Sequence, residues 1–183
     1  SLCFAASLGG ALFLFEVDEN GLPLRYANSM PSILSEEFTY AFFEKMTACY
    51  QESGGAKFTV KQLLAARNRF PGLDNGLLQD ILWEARINPK SHVASLTEEE
   101  KHRLFQAIKT VPAAMIAQGG KDTDKDIYGR LGGYVTRASR NTCGKPCARC
   151  GTPIVKEAYM GGAVFYCPCC QERKEAAKPV KKG

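Results

Sequence analysis

Four cysteines near the C-terminus constrain the fold of this 183-residue chain more than any other feature. Cys147 and Cys150 form one Cys-x-x-Cys pair, and Cys167 and Cys170 form a second pair after sixteen intervening residues. Two such pairs at the base of a hairpin bring four sulfur atoms to the corners of a tetrahedron. The spacing therefore predicts one structural Zn²⁺ bound by these four side chains.

The other four cysteines have different expected roles. Cys143 and Cys169 lie next to the two pairs and offer alternative ligand registers, although the Cys-x-Cys spacing that Cys169 would create suits a tetrahedral site less well. Cys3 and Cys49 stand among apolar residues and are expected to be core thiols. This usage indicates a reducing compartment rather than a disulfide framework.

Charge is distributed unevenly along the chain. The net charge is +5 and 45% of residues are hydrophobic, which is ordinary for a globular protein and excludes a largely disordered chain. Residues 1–120 contain 11 Lys/Arg and 13 Asp/Glu, whereas residues 121–183 contain 13 and 6, a net of +7. Because the basic segment also contains the cysteine pairs, it indicates a polyanionic partner. A second basic run, with no acidic residue inside it, comprises Lys57, Lys61, Arg67 and Arg69.

The first thirty residues are predicted to form strands. Residues 2–8 and 11–17 are apolar runs of strand length separated by Gly9-Gly10, and residues 22–27 can add a third strand. The opening run has no basic n-region and is too short to cross a bilayer as a helix. Three short strands leave much exposed edge, so we expect them to belong to a larger sheet.

Helical periodicity begins after Pro31. The first helix is expected over residues 35–51, with Ser35 as its N-cap. Its buried stripe would consist of Phe38, Phe42, Met46, Cys49 and Tyr50.

Three more helices are predicted before residue 120. Thr59-x-x-Gln62 and Thr97-x-x-Glu100 are capping boxes that start the second and fourth helices, and the third is expected over residues 76–86. Pro112 is expected to kink the fourth helix or to start a new segment, and Gly119 to end it. The residues expected to face inward are Val60, Leu63, Leu64, Leu77, Leu78, Ile81, Leu82, Trp83, Ala85, Leu104, Phe105 and Ile108.

The turn between the second and third helices has a candidate function. Its sequence, Phe-Pro-Gly-Leu-Asp-Asn-Gly over residues 70–76, places a Gly/Asn turn before the positive end of the third helix. Free N–H groups at such an end bind phosphate, and Asn75 can add a side-chain amide donor. A plain turn between two packed helices explains the same residues, and both interpretations stay open at this point.

The motifs, taken in order, resemble the formamidopyrimidine-DNA glycosylase/endonuclease VIII family. The resemblance covers roughly residues 30–171 and includes PGLDNGLLQDILWEARINP, the YGR of residues 128–130 and PCARCG…FYCPCCQ. The family's DNA-binding helix–two-turns–helix has a signature close to G-[IV]-G-N, which here is Gly72-Leu73-Asp74-Asn75. The resemblance thus implies that Asn75 contacts phosphate and that the four cysteines are zinc-finger ligands.

This sequence departs from the family pattern at several positions. Asp74 replaces a Gly, Asp80 falls where the family usually has Glu, and Gly162 falls where many members have the finger-tip Arg that contacts DNA. Lys156 is a candidate substitute for that cation. The family's nucleophile is an N-terminal proline followed by Glu, whereas this chain begins with Ser1-Leu2, so we expect a C-terminal portion that contains no catalytic residue.

The resemblance implies an α+β fold. A helix–two-turns–helix DNA-binding domain and a four-cysteine zinc-finger β-hairpin would follow the last strands of a truncated β-sandwich domain. The expected divisions are residues 1–30 for the end of the β-sandwich, 31–119 for the helical domain, 120–142 for a loop near the lesion, 143–172 for the zinc-finger hairpin and 173–183 for a basic tail.

The implied function is the damaged-DNA-binding portion of a base-excision repair DNA glycosylase with AP lyase activity, hence of a hydrolase and lyase. We expect a monomer that binds double-stranded damaged DNA and one structural Zn²⁺, does not associate with membranes and lies in the cytoplasm with the nucleoid. The expected DNA-binding residues are Gly72, Asn75, Lys57, Lys61, Arg67, Arg130 and Lys156. The alternatives are a non-catalytic zinc-containing binder of nicked or distorted DNA and, third, a zinc-ribbon module for protein interaction.

Overall fold

A computed structural model describes residues 2–6, 12–16, 31–54, 57–65, 70 and 73–176. The chain divides into two compact units, Ser1–Pro31 and Ser32–Gly183. The first unit contains an antiparallel hairpin of β1 (Leu2–Ala6) and β2 (Leu12–Glu16), which confirms the two predicted strands. The third strand predicted over residues 22–27 and the side chain of Cys3 lie outside what the structure describes.

The first helix of the second unit begins later than the sequence predicts. Helix α1 spans Tyr40–Gly54, and its N-cap is Thr39, whose hydroxyl accepts a hydrogen bond from the Phe42 N–H at 3.2 Å. Ser35, the predicted cap, instead donates its hydroxyl to the Ser32 carbonyl at 2.8 Å. A local turn therefore uses the Ser35 side chain, and the helix starts at the next capping residue.

The buried side of α1 also differs from the prediction. Phe38 is buried but precedes the helix, and Phe42 is only half-buried. Cys49 is exposed, so the prediction of a core thiol at this position is wrong. The side chain of Tyr50 lies outside the described part. Among the described side chains of α1, those buried are Phe43, Met46 and Thr47.

Both predicted capping boxes are confirmed. Helix α2 spans Val60–Ala65, with the Thr59 N–H donating to Gln62 Oε1 at 2.7 Å and the Gln62 N–H donating to Thr59 Oγ1 at 3.4 Å. Helix α4 spans Glu98–Ala117 and begins with the equivalent bonds between Thr97 and Glu100 at 3.0 and 3.2 Å. Each box satisfies two N–H groups that the helix itself leaves without partners.

Helix α3 (Asn75–Ala85) lies between two hydrophobic clusters. Its apolar side chains Leu78, Ile81 and Leu82 are at most 1% exposed in the main helical core, and the inward-facing residues predicted for α2, α3 and α4 are buried as expected. Trp83 belongs instead to a second cluster with residues of the cysteine-rich segment. The helix ends at Ala85, one residue before its predicted end, and Arg86 caps it in the left-handed conformation.

The end of α4 confirms one prediction and excludes one of the two outcomes expected at Pro112. The helix continues through Pro112 to Ala117, so Pro112 does not start a new segment. The Gly119 N–H donates to the Ile116 carbonyl at 3.0 Å and the Gly120 N–H to the Met115 carbonyl at 2.8 Å, with φ of 70° and 105°. These two bonds form a Schellman motif, in which the positive φ favours glycine.

Residues 120–142 contain no helix or strand, as predicted, but the segment is tied together at its base. Tyr134 pairs with Lys121, and Leu131 pairs with Lys125. A Cβ placed on Gly132 would lie 2.0 Å from the carbonyl carbon of Gly120, so only glycine fits at this crossing. These contacts at the base fix the position at which residues 121–131 extend from the end of α4.

The cysteine-rich segment forms the predicted hairpin. Strands β3 (Val155–Tyr159) and β4 (Gly162–Tyr166) pair antiparallel, with Tyr159 opposite Gly162. Met160 and Gly161 form the two-residue turn with φ of 54° and 73°, as a type I′ turn requires. The predicted α+β fold is confirmed, and among the described helices none is long and apolar enough to span a membrane.

The capping box of α4 predicts a stability effect. Thr97→Ala removes the side-chain acceptor for the Glu100 N–H, so the free energy of unfolding should fall by about 0.5–2 kcal/mol. Thr110→Ala on the exposed side of the same helix is the control and should lower it by less than about 0.5 kcal/mol. Urea denaturation followed by circular dichroism measures both. Equal losses for the two variants would show that the box contributes nothing.

Candidate metal centre and nucleic-acid interface

The four predicted ligands come together. The sulfur atoms of Cys147, Cys150, Cys167 and Cys170 all lie within 4.8 Å of one another. A tetrahedral site with metal–sulfur bonds of about 2.3 Å has sulfur–sulfur edges of about 3.8 Å, so the cluster has the size of a single-ion site. Cys143 and Cys169, the alternative registers, are exposed and do not belong to this cluster of described residues.

Each cysteine pair forms a tight turn with N–H groups directed at sulfur. The Arg149 N–H donates to Cys147 Sγ at 3.5 Å, and the Cys170 N–H donates to Cys167 Sγ at 3.4 Å. Hydrogen bonds from Thr152 lower the pKa of Cys150 to about 6, which favours the thiolate that binds metal.

The same crowding opposes ionisation at the second pair. Burial and the neighbouring sulfur atoms raise the pKa of both Cys167 and Cys170. Negatively charged sulfur atoms this close together repel one another, and a divalent cation between them would remove that repulsion.

The end of α3 holds the first cysteine pair. The Trp83 indole N–H donates to Cys147 Sγ at 3.3 Å. The Arg149 guanidinium stacks over the Trp83 ring at 4.0 Å and donates to the Trp83 carbonyl at 2.8 Å. Trp83 is therefore more than core filling, since it orients one ligand of the candidate metal site.

Gln171 holds the second cysteine pair. Its side-chain oxygen accepts a hydrogen bond from the Cys167 N–H at 2.8 Å, and its side-chain nitrogen donates to the Ile87 carbonyl at 2.9 Å. The Asn88 amide donates to the Gln171 carbonyl at 2.9 Å. Gln171 is fully buried, and its sequence position directly after a ligand is the only local signal of this role.

The start of α3 meets the hairpin on its other side. The Asn75 side-chain amide donates to the Ala163 carbonyl of β4 at 3.1 Å. Gln79 accepts a hydrogen bond from the Phe165 N–H at 2.6 Å and donates to the Asn75 carbonyl at 2.8 Å. A Cβ on Gly162 would lie 3.9 Å from Asn75 Nδ2. Exposed Asn75 and the tip of the hairpin therefore form one surface.

Asp74 is the N-cap of α3. One carboxylate oxygen accepts a hydrogen bond from the Leu77 N–H at 2.5 Å, and the other contacts the Lys121 ammonium at 2.9 Å. Lys121 also pairs with Asp124 at 3.0 Å. Burial alone would lower the pKa of Lys121, but the hydrogen bonds to Asp74 and Asp124 raise it overall. Sequence reasoning missed Lys121, which lies 47 residues from its partner.

Asp80 joins α3 to the segment that precedes the cysteines. Its carboxylate accepts hydrogen bonds from the Arg137 N–H at 3.0 Å and the Ala138 N–H at 2.8 Å, and from the Tyr134 hydroxyl. Asp80 is 1% exposed, and burial raises its pKa although these hydrogen bonds oppose the shift. The carboxylate thus acts as a buried acceptor and does not face solvent.

The predicted DNA-binding cations lie in different environments. Lys61 is 3% exposed, and its ammonium donates to the Tyr159 carbonyl at 2.7 Å, so it does not present a charge at the surface. Lys57 and Lys156 are exposed. Arg130 is exposed and pairs with Asp126 at 2.9 Å. Two other predicted residues, Gly72 and Arg67, lie outside the described residues, as does Arg69 of the same basic run.

The contact between Gln79 and β4 predicts a second stability effect. Gln79→Leu leaves the buried Phe165 N–H without an acceptor, which should cost about 1–3 kcal/mol. Gln106→Ala, an exposed amide on α4, is the control and should change the free energy of unfolding by less than about 0.5 kcal/mol. Urea denaturation measures the loss, and faster hydrogen exchange at the Phe165 amide would locate it. Wild-type stability and exchange in Gln79→Leu would contradict this account of the contact.

Several known proteins with similar sequences are formamidopyrimidine-DNA glycosylases. No protein-family model matches the chain. A formamidopyrimidine-DNA glycosylase of Corynebacterium glutamicum is 30% identical over 159 residues, which cover 85% of this chain and 54% of the relative. A formamidopyrimidine-DNA glycosylase of Thermus thermophilus is 33% identical over 147 residues, 77% of this chain and 52% of the relative. The chain spans about half the length of these curated relatives.

Solved structures lead to the same family. The crystal structure of the MutM (Fpg) protein from Thermus thermophilus has a TM-score of 0.72 and 28% identity, covering 90% of this chain and 62% of that one. A complex between the Lactococcus lactis Fpg and an abasic site containing DNA has a TM-score of 0.65 and 26% identity, covering 78% and 51%. The resemblance found in the motifs is therefore confirmed: in sequence and in fold, the chain is similar to the C-terminal part of formamidopyrimidine-DNA glycosylases.

Proposed function

We propose that Ser32–Gly183 binds damaged double-stranded DNA as part of a base-excision repair DNA glycosylase with AP lyase activity. The observation that carries the proposal is the single surface formed by the Asn75 amide and the tip of the hairpin. A similar structure, the Lactococcus lactis Fpg, is in complex with abasic site containing DNA.

The chemistry at this surface suits a phosphate. The amide of Asn75 is exposed at the first turn of α3, where backbone N–H groups have no partner inside the helix. Lys121 balances the carboxylate of Asp74 beside the first turn, and Asn75 and the helix end offer hydrogen-bond donors. Contacts of this kind fix the position of a duplex without reading its sequence.

Exposed cations around the surface would strengthen binding through the DNA backbone. Lys57, Arg130 and Lys156 are exposed and belong to this part of the proposal, as does Arg67. Gly72 is a further proposed DNA contact, but it is neutral and is not one of these cations. Each phosphate that a cation neutralises releases counterions, so affinity should fall steeply with salt. Lys61 is not included among these cations, because it is buried.

The proposed occupant of the cysteine cluster is one structural Zn²⁺ per chain. Four thiolates from two Cys-x-x-Cys turns are a donor set that binds zinc with no position left for water or substrate. The ion would stabilise the hairpin and its contacts with α3, on which the DNA-binding surface depends. A monomer in the cytoplasm with the nucleoid, and the domain divisions expected from the sequence, complete the proposal.

The metal content of cysteine variants distinguishes the proposed ligands from the neighbouring cysteines. We expect elemental analysis of the purified chain to find one zinc per molecule. Cys167→Ser should lose the metal and unfold the hairpin, since zinc binding supplies on the order of 10 kcal/mol of folding free energy in small fingers. Cys169→Ser, its exposed neighbour, is the control and should keep one zinc. Loss of zinc from Cys169→Ser but not from Cys167→Ser would overturn the ligand assignment.

DNA binding tests the role of Asn75. Asn75→Ala removes one donor to a charged group, worth about 1.5–3 kcal/mol, so the Kd should rise by roughly tenfold to a hundredfold. The loss should be similar on two unrelated duplexes, and the salt dependence should change little because the amide is neutral. Fluorescence anisotropy titrations at several salt concentrations would measure this.

Gln106→Ala, an exposed amide on α4, is the control for DNA binding and should bind like the wild type. Thermal unfolding of Asn75→Ala checks that loss of the Ala163 contact has not displaced the hairpin. If Asn75→Ala binds both duplexes like the wild type, the segment is a plain turn between two helices. Lesion binding by the full-length protein without release of a base would favour the non-catalytic binder.

A further inference from the structure

Lys61 is a buried ammonium group with an unusual set of partners. Only 3% of the residue is exposed, and within the described part of the chain no carboxylate lies within ion-pair distance of it. Its ammonium donates to the carbonyl of Tyr159 at 2.7 Å and lies 5.6 Å from the centre of the Tyr159 ring. Burying a charge without a counter-charge is costly, so the contact with Tyr159 calls for a reason.

Tyr159 is held at three points. Besides the Lys61 contact at its carbonyl, its hydroxyl donates to Thr59 Oγ1 at 3.1 Å. The ammonium of Lys90 lies 5.6 Å from the same ring and forms an ion pair with Glu157. We call Thr59, Lys61, Lys90 and Tyr159 the tyrosine clamp.

The clamp lies directly before the tip of the hairpin. Tyr159 is the last residue of β3, and Met160, Gly161 and Gly162 follow it. On the other side of the tip, the Ala163 carbonyl accepts the hydrogen bond from Asn75. The tip is thus fixed on one side by the tyrosine clamp and on the other by the start of α3.

Precise placement matters because the tip has little reach of its own. Gly161 and Gly162 have no side chains, and exposed Met160 has no charge. A long cationic side chain could change its conformation to reach a displaced phosphate. A glycine tip has no such side chain, so its distance from DNA is set by the position of its backbone. The clamp therefore sets the distance between this tip and any ligand held by Asn75.

We infer that Lys61 is a positioning residue for DNA binding, which acts through the Tyr159 carbonyl to hold the hairpin tip on the surface shared with Asn75. The inference rests on the proposed function. Lys61 has no contact with phosphate in this role. Loss of Lys61 should therefore weaken DNA binding and leave the number of released counterions unchanged. Loss of a surface cation, by contrast, should reduce that number.

Lys61→Met in the full chain tests the inference, because it keeps most of the length of the side chain and removes the donor. The Kd for duplex DNA should rise roughly tenfold, the equivalent of about 1.4 kcal/mol, with the salt slope unchanged. Lys61→Arg restores a cationic donor and should recover most of the affinity. Lys57→Met is the matched surface control, and if Lys57 touches phosphate its salt slope should fall by about one unit.

A double-mutant cycle distinguishes positioning from general stability. If Lys61 acts on the surface shared with Asn75, the losses in Lys61→Met and Asn75→Ala should not add. Hydrogen exchange at the amide of Gly162, which pairs with Tyr159 across the turn, should also speed up in Lys61→Met. A merely structural role would leave additive losses and an unchanged exchange rate at the tip.

Other outcomes would overturn the inference. A salt slope lowered by about one unit in Lys61→Met would mean that Lys61 contacts phosphate itself. If Lys61→Met binds DNA with wild-type affinity, the positioning role of Lys61 is wrong and the proposed function is unaffected. If the wild type does not bind DNA, both the inference and the proposed function are wrong. If Lys61→Met does not fold, Lys90→Met weakens the same clamp from the surface and should raise the Kd severalfold with an unchanged slope. Wild-type binding in that variant would count against the clamp.

Discussion

Helix α3 joins the two hydrophobic clusters of the second unit, and the hydrogen bond from the Trp83 indole to Cys147 fixes the end of this helix to the cysteine-rich segment. Along α3, Leu78 and Ile81 pack into the helical core while Trp83 packs against the cysteine-rich segment, so one helix is shared by both. A small hairpin has too few apolar residues to fix its own orientation. Its position therefore depends on this helix and on the four-cysteine cluster at its base, and a change at either should reach the proposed DNA-binding surface.

Electrostatics at the start of α3 is balanced within the chain. Asp74 places a carboxylate at the positive end of the helix, where it stabilises the helix and competes with any external anion. Lys121 compensates for that charge and ties the helix to the segment after α4. A phosphate that approaches Asn75 thus meets a neutralised helix end and not a bare one, which leaves the exposed amide as the distinctive donor.

Features set by short spacings could be predicted from the sequence, whereas those set by distant partners could not. The capping boxes and the cysteine pairs depend on residues three positions apart, and each is confirmed. The start of α1 differs from its prediction because Ser35 and Thr39 are both acceptable caps and a local turn decides between them. The sequence alone predicts Lys61 as a surface cation, because the partner that buries it is 98 residues away in the chain. The bond between Asn75 and the hairpin spans 88 residues, so the resemblance could name both motifs without showing that they touch.

Gly132 crosses over Gly120 and closes the base of residues 121–131. Because backbone hydrogen bonds at this base fix both ends of the segment, changes in its length need not be transmitted to α4 or to the cysteines. Doubling the length of a closed flexible loop costs only about 0.6 kcal/mol in closure entropy. The outer part of this segment is therefore a suitable place to graft a peptide or a probe.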